Sequence, residues 1–133
     1  MTSPVPPSSP GWRRRAVGRR SHHKGLEAEQ KVMDHLRAEG WTILAHRART
    51  AWGEIDIVAI RDGLLVFTEV KARASIMQAG DAISPRTMQR LMNAAQGLCM
   101  LNAGWAYDGM RFDVVVVLPD GHMHRIEDAF RME

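Results

Sequence analysis

A chain of 133 residues, 45% hydrophobic and 25% charged, suits one domain with a proper core and no second one. A net charge of +3 and an isoelectric point near 9.6 favour a polyanionic partner, although much of the excess lies in the first twenty residues. The one cysteine, Cys99, excludes an internal disulfide framework and fits a reducing compartment, while the lack of a bilayer-length apolar run or a signal segment predicts a soluble, cytoplasmic protein with no membrane partner.

Residues 1–24 combine Pro4, Pro6, Pro7 and Pro10 with serines and the basic clusters Arg13-Arg14-Arg15 and Arg19-Arg20. Such a composition buries too little surface to order itself, so it reads as a flexible basic tail ahead of a domain over 25–133. The tail is either a sequence-blind grip on nucleic-acid backbone or a solvated extension. His22 and His23 belong to it and have no companion that suggests a metal site.

Over residues 25–39 the apolar positions Val32, Met33 and Leu36 recur with helical spacing, and Gly40 supplies the stop. Glu29 lies on the same face, three, four and seven residues before them, which turns a carboxylate towards the core side. That placement is costly unless the acid is paired or ligates something. Two plainer readings are a helix-dipole contact and an ion pair with a nearby arginine.

Trp41 to Ala48 reads as a strand centred on Ile43 and Leu44, followed by Arg47, Arg49 and then Trp52 just before Gly53. Arginines here suit phosphate contacts, and the tryptophan suits stacking on an unpaired base. A rim of solvated charge and an aromatic covering the sheet edge are the competing readings.

Two apolar-rich runs, Glu54 to Ile60 and Leu64 to Lys71, flank Asp62-Gly63, the dipeptide a type I′ turn demands. In the resulting hairpin Arg61 pairs with Leu64, so Asp56 falls opposite Glu69 and Glu54 opposite Lys71. Cross-strand partners share a face, as do side chains two apart on a strand. One face is therefore expected to gather Glu54, Asp56, Glu69 and Lys71. Directly opposed like charges destabilise a sheet, so Asp56 and Glu69 call for a cation, either Lys71 or a hard divalent metal. Mg²⁺ takes oxygen ligands and is typically held by one or two carboxylates plus waters and substrate phosphates. Lys71 would then orient or deprotonate an attacking water, or steady charge on a phosphate. A solvated ladder of charges on an antiparallel hairpin is the alternative.

The stretch from Arg73 to Gly80 has little periodicity and reads as a mobile connection. Ser84-Pro85 starts a second helix, with a serine cap and proline in the first turn. Met88, Leu91, Met92, Ala95, Leu98 and Cys99 form its buried stripe. Arg86 and Arg90, one turn apart on other faces, suit a shared phosphate contact or a solvated face. Val114 to Val117 marks a strand buried on both faces and assigned to the sheet centre. Pro119-Asp120-Gly121 turns the chain, and His122 to Ile126 makes the last strand, with His122 and His124 a surface feature.

Asp56 followed by Glu69-Val70-Lys71 after a hairpin resembles the D…ExK arrangement of the PD-(D/E)xK nuclease superfamily. The order of GEIDIVA at 53–59, FTEVKAR at 67–73 and RFD at 111–113 is more specific, and resembles the UPF0102 (YraN-like) family, related to archaeal Holliday junction resolvases. The likeness runs from about residue 25 to residue 130. It implies an α/β restriction-endonuclease-like three-layer core, a mixed β-sheet flanked by helices in the order αβββαββ. It also implies Mg²⁺- or Mn²⁺-dependent hydrolysis of DNA phosphodiester bonds, with branched or junction DNA as a substrate and a homodimer as the active unit. In that reading Asp56, Glu69 and the Val70 carbonyl hold the metal, Lys71 positions the attacking water, and Glu29 orients a metal-bound water. Arg49, Arg73, Arg86 and Arg90 supply DNA contacts. Asp113 is expected to buttress the site through an arginine. This chain departs from the family with Ala28 for Gly, His46-Arg47 for Arg-Asn, and Thr87 for Lys. A non-catalytic nucleic-acid-binding protein that keeps the fold is the main rival, and an adaptor whose acids and lysine form a structural network is a third reading.

Overall fold

The computed structural model describes residues 19–78 and 84–130, with side chains from residue 25 onward. The element order is α1 (Arg19–Ala38), β1 (Thr42–Thr50), β2 (Gly53–Arg61), β3 (Leu64–Ala72), α2 (Pro85–Leu101), β4 (Gly109–Val117) and β5 (Met123–Phe130). That is αβββαββ, as expected. The five strands form one mixed sheet in the order β1-β2-β3-β4-β5. Only β3 and β4 run parallel, because α2 carries the chain across the sheet between them; the other neighbours are antiparallel. The two helices cover opposite faces of the sheet, giving three layers.

Helix α1 begins at Arg19, six residues ahead of Gly25, so part of the stretch expected to be tail is helical; residues 1–18 lie outside the described residues. Its buried stripe is Ala28, Glu29, Val32, Met33 and Leu36. Gly40, at φ +90°, ends the helix. The Gly40 and Trp41 amides donate back to Arg37 and Leu36, satisfying carbonyls the last turn leaves open. The stripe packs with Trp41, Ile57, Ala59, Val66, Val115 and Val117. On the other face α2 lays Leu91, Ala94, Ala95 and Leu98 against Ala48, Ile55, Val58, Leu65 and Phe67. Phe67, Phe112 and Phe130 stack in sequence there, with ring centroids 5.5 and 4.7 Å apart. Met88, Met92 and Cys99 of the expected stripe are only partly buried.

Ser84 caps α2, accepting from the Thr87 amide, with Pro85 in the first turn. The β2–β3 turn has both Asp62 (φ 50°) and Gly63 (φ 79°) left-handed, as a type I′ turn requires. Pairing runs from Arg61↔Leu64 to Ile57↔Thr68 in the expected register.

Two strand ends and one strand's place in the sheet differ from the sequence reading. Strand β1 reaches Thr50 and takes in Arg47 and Arg49, and β5 reaches Phe130 past a left-handed Asp128 (φ 54°). Strand β4 is interior but not central, because β5 adds only one strand beyond it and leaves β3 in the middle. Residues 79–83 of the α2 connection lie outside the described residues. No helix among the described residues is long and apolar enough to cross a membrane.

Candidate active site

The hairpin ladder stops at Ile57↔Thr68, one pair short of Asp56 and Glu69. Past that point β2 and β3 separate, and the Asp56 side chain occupies the opening. Its Oδ2 accepts from the Val70 amide at 2.8 Å, and the Glu69 carboxylate lies close enough to raise the pKa of Asp56. The two acids therefore meet, but with Asp56 reaching towards the β3 backbone rather than through the cross-strand geometry that spacing predicted. Glu54 leaves the group altogether. It pairs with Arg49, whose Nε donates to Oε2 at 2.8 Å, because at this end β2 is laddered to β1 (Arg49↔Glu54) and not to β3.

The cause is a break in the pleat. Alternation puts residues two apart on one face, yet His46 and Ile57 face α1 while Ala48 and Ile55 face α2. The change occurs at Arg47, which takes φ 52°. His46 and Arg47 consequently reach the same acid, buried Glu29 of α1. His46 Nε2 lies 2.7 Å from Oε1, and Arg47 donates to Oε1 at 2.8 Å and to Oε2 at 3.2 Å. Gly25 leaves room for this contact, since a Cβ there would stand 3.1 Å from Arg47 Nη2. The ion pair weighed for Glu29 is thus its arrangement.

Glu69 is buried and points to the α2 face. Lys71 Nζ and Arg90 Nη2 each stand 3.2 Å from its Oε2. Arg90, paired by sequence with Arg86 on a phosphate, instead reaches an acid. Its stem crosses Gly53, where a Cβ would be 3.1 Å from Cγ.

Charge is unevenly distributed between the acids. Glu69 has two cations against it, whereas no salt bridge reaches Asp56 among the described residues. Burial first, then the Glu69 charge, push Asp56 up to about 9; the Val70 N–H opposes this and Glu29 adds to it. That shift keeps a proton on Asp56 at neutral pH.

Whether a divalent cation fits can be asked of the donor set. Two neighbouring oxygen acids, one of them carrying a proton, are what a hard cation would take over. A strand residue's N–H and C=O point the same way, so the Val70 carbonyl faces the gap that its amide does. Among the described residues no group of three His, Cys, Asp or Glu stands ready to hold a metal. The remaining positions would fall to backbone, water or phosphate, which is the manner of Mg²⁺. Asp56, Glu69 and the Val70 carbonyl are the oxygen donors such an ion would use.

Asp113 is buried behind this region, with Arg111 Nε and Nη2 both donating at 2.8 Å and Arg125 Nη2 at 3.4 Å. It is paired to arginine as expected of RFD, and its hydrogen-bond partners lie on β4 and β5 rather than at the acid pair. Arg73 follows β3, its amide donating to Val117, and Arg86 is exposed in the first turn of α2. His122 pairs with Asp120, not with His124. Sequence reasoning missed His46 as a Glu29 partner and Arg90 as a Glu69 partner. Strict alternation hides the first; Gly53, which admits the Arg90 stem, was the one signal for the second.

The profile of a family described as "Uncharacterised protein family UPF0102" matches residues 28–117. Among similar proteins, the UPF0102 protein of Granulibacter bethesdensis is 44% identical over 87% of this chain and 73% of its own. That of Azorhizobium caulinodans is 39% identical over 100% and 99%, and that of Acidiphilium cryptum 41% over 91% and 94%.

Proposed function

The chain belongs to the UPF0102 family, and from that premise we propose that it is a Mg²⁺- or Mn²⁺-dependent endonuclease that hydrolyses DNA phosphodiester bonds, branched or junction DNA included. The observation that carries this reading is the Asp56–Glu69 carboxyl pair, joined in the opening of a hairpin with Lys71 on Glu69. An acid kept protonated next to a second acid is a poor structural choice and a good cation seat. It also follows the D…ExK order of a nuclease superfamily.

Asp56 and Glu69 hold the cation, with the Val70 carbonyl facing the same gap. When bound, the cation supplies a water of lowered pKa and offsets phosphate charge. Lys71, now on Glu69, places its ammonium where it orients that water and steadies the phosphate. Glu29 adds negative potential at Asp56 from the α1 side, and its fixed carboxylate suits it to orient a metal-bound water. Arg73 and Arg86 bind backbone without reading sequence, joined by Arg49 and Arg90 where a phosphate draws them from Glu54 and Glu69.

A test is cleavage of single-stranded, duplex and four-way-junction DNA with and without Mn²⁺. Cleavage that needs metal and disappears in Asp56→Asn supports the reading; equal cleavage by that variant overturns it. A second reading, nucleic-acid binding without turnover, is favoured by one observation: Glu69 and Glu29 already have internal cations. It predicts salt-sensitive binding that persists in EDTA with no cleavage of any substrate.

A further inference from the structure

Trp52 lies outside the chemistry just described and is 55% exposed. It is nevertheless held in place. The Thr50 hydroxyl accepts from the Trp52 and Gly53 amides at 3.0 and 3.1 Å and donates to the Gly53 carbonyl at 2.8 Å, fixing the β1–β2 turn. The indole rests on Gly97 of α2: a Cβ there would stand 2.6 Å from both Cε3 and Cζ3. A mid-helix glycine costs roughly 0.5–1 kcal/mol against alanine, and here its lack of a side chain is what seats the ring.

The same turn adjoins the acid pair. Gly53, next in sequence, carries the stem of Arg90, whose guanidinium reaches Glu69. Residues 90 and 97 are about 10 Å apart along a helix, so the ring stands a nucleotide or so from the carboxylates. An immobilised, solvent-facing indole is a stacking platform for a nucleobase. In a duplex both faces of a base are covered by neighbours, so such a platform takes only a base free of its stack.

We propose that Trp52, seated on Gly97, stacks on an unpaired base flanking the phosphate that meets the cation at Asp56 and Glu69, and so selects DNA with single-stranded character at that point. This rests on the nuclease reading for the identity of the phosphate, but not for the stacking itself.

The test measures affinity for a fluorescein-labelled oligothymidine single strand and for a blunt duplex of equal length. Anisotropy is read in Ca²⁺ and again in EDTA, for the natural protein, Trp52→Ala, Trp52→Phe and Gly97→Ala. Loss of one stacked base lowers affinity about tenfold. Trp52→Ala should therefore lower the single-strand to duplex affinity ratio about tenfold, with Trp52→Phe keeping most of it. Gly97→Ala keeps the tryptophan but takes its seat, and should lower the ratio as well; matching thermal midpoints exclude unfolding as the cause. An unchanged ratio in Trp52→Ala, or equal loss on both DNAs, overturns the proposal. If the natural protein cleaves DNA with Mn²⁺ while the ratio is unmoved, Trp52 fails and the nuclease stands. If the ratio falls but nothing is ever cleaved, the nuclease fails and the stacking stands. No binding of either DNA overturns both.

Discussion

Asp56 keeps its proton at neutral pH because burial and the Glu69 charge together outweigh the Val70 amide that favours the carboxylate. Its folded value, about 9, lies far above the 3.8 of an exposed aspartate. Between those values the folded chain binds a proton that the unfolded chain has lost. Asp56 therefore weighs against folding increasingly as pH rises from about 4 to about 9, and its stabilising contribution is complete only below 4. Asp56→Asn removes the dependence. In EDTA at pH 8 it should raise stability, on the order of 1–3 kcal/mol, or a few degrees of melting temperature. Melts from pH 5 to 9 check this, and a variant whose midpoint tracks the natural protein at every pH contradicts it. Lys71 differs: Lys71→Met should retain metal binding yet lose about 100-fold or more of the cleavage rate, read in single turnover. Loss of metal binding together with rate would make Lys71 structural instead.

At the scale of elements, the β2–β3 hairpin positions the acids, and its turn is the part most sensitive to substitution. Gly63→Ala forces a side chain to φ 79° and brings its Cβ to 2.6 Å from Asp108 Oδ2. A loss of about 1–3 kcal/mol is expected, measured by urea denaturation; a neutral effect would mean that the turn relaxes freely. The hairpin was legible because Asp62-Gly63 admits few turns and each turn fixes one register. Helix α2 was legible from Ser84-Pro85 and its apolar spacing. The end of the ladder was not, because nothing in the letters of Glu54 or Asp56 says that β2 parts from β3 there while staying paired with β1. Nor did they tell that Arg47 would turn left-handed and bring two neighbours onto Glu29. These are contacts between elements, set by packing, and local patterns do not carry them. The juxtaposition of Asp56, Glu69 and Lys71 was legible, while its geometry was not.

For the whole molecule, three layers close around two large apolar clusters, one under each helix, and the carboxyl pair lies where the central hairpin opens between them. A polyanion approaching that opening meets Arg86 and Arg90 of α2. The logarithm of the binding constant should fall linearly with the logarithm of salt concentration, by about 0.7–0.9 per phosphate contacted. Arg86 is exposed, so Arg86→Ala should reduce that slope by about one contact without moving the melting temperature. A slope unchanged by the substitution would remove Arg86 from the interface.

The account turns on a cation replacing the proton that Asp56 carries beside Glu69. Titrating Mn²⁺ into the protein at pH 7 by calorimetry, in buffers of differing ionisation heat, counts protons released per ion. The account predicts about one proton released in the natural protein, an affinity rising about tenfold per pH unit towards 9, and neither behaviour in Asp56→Asn. Binding that releases no proton, or that is as strong in Asp56→Asn as in the natural chain, would contradict it.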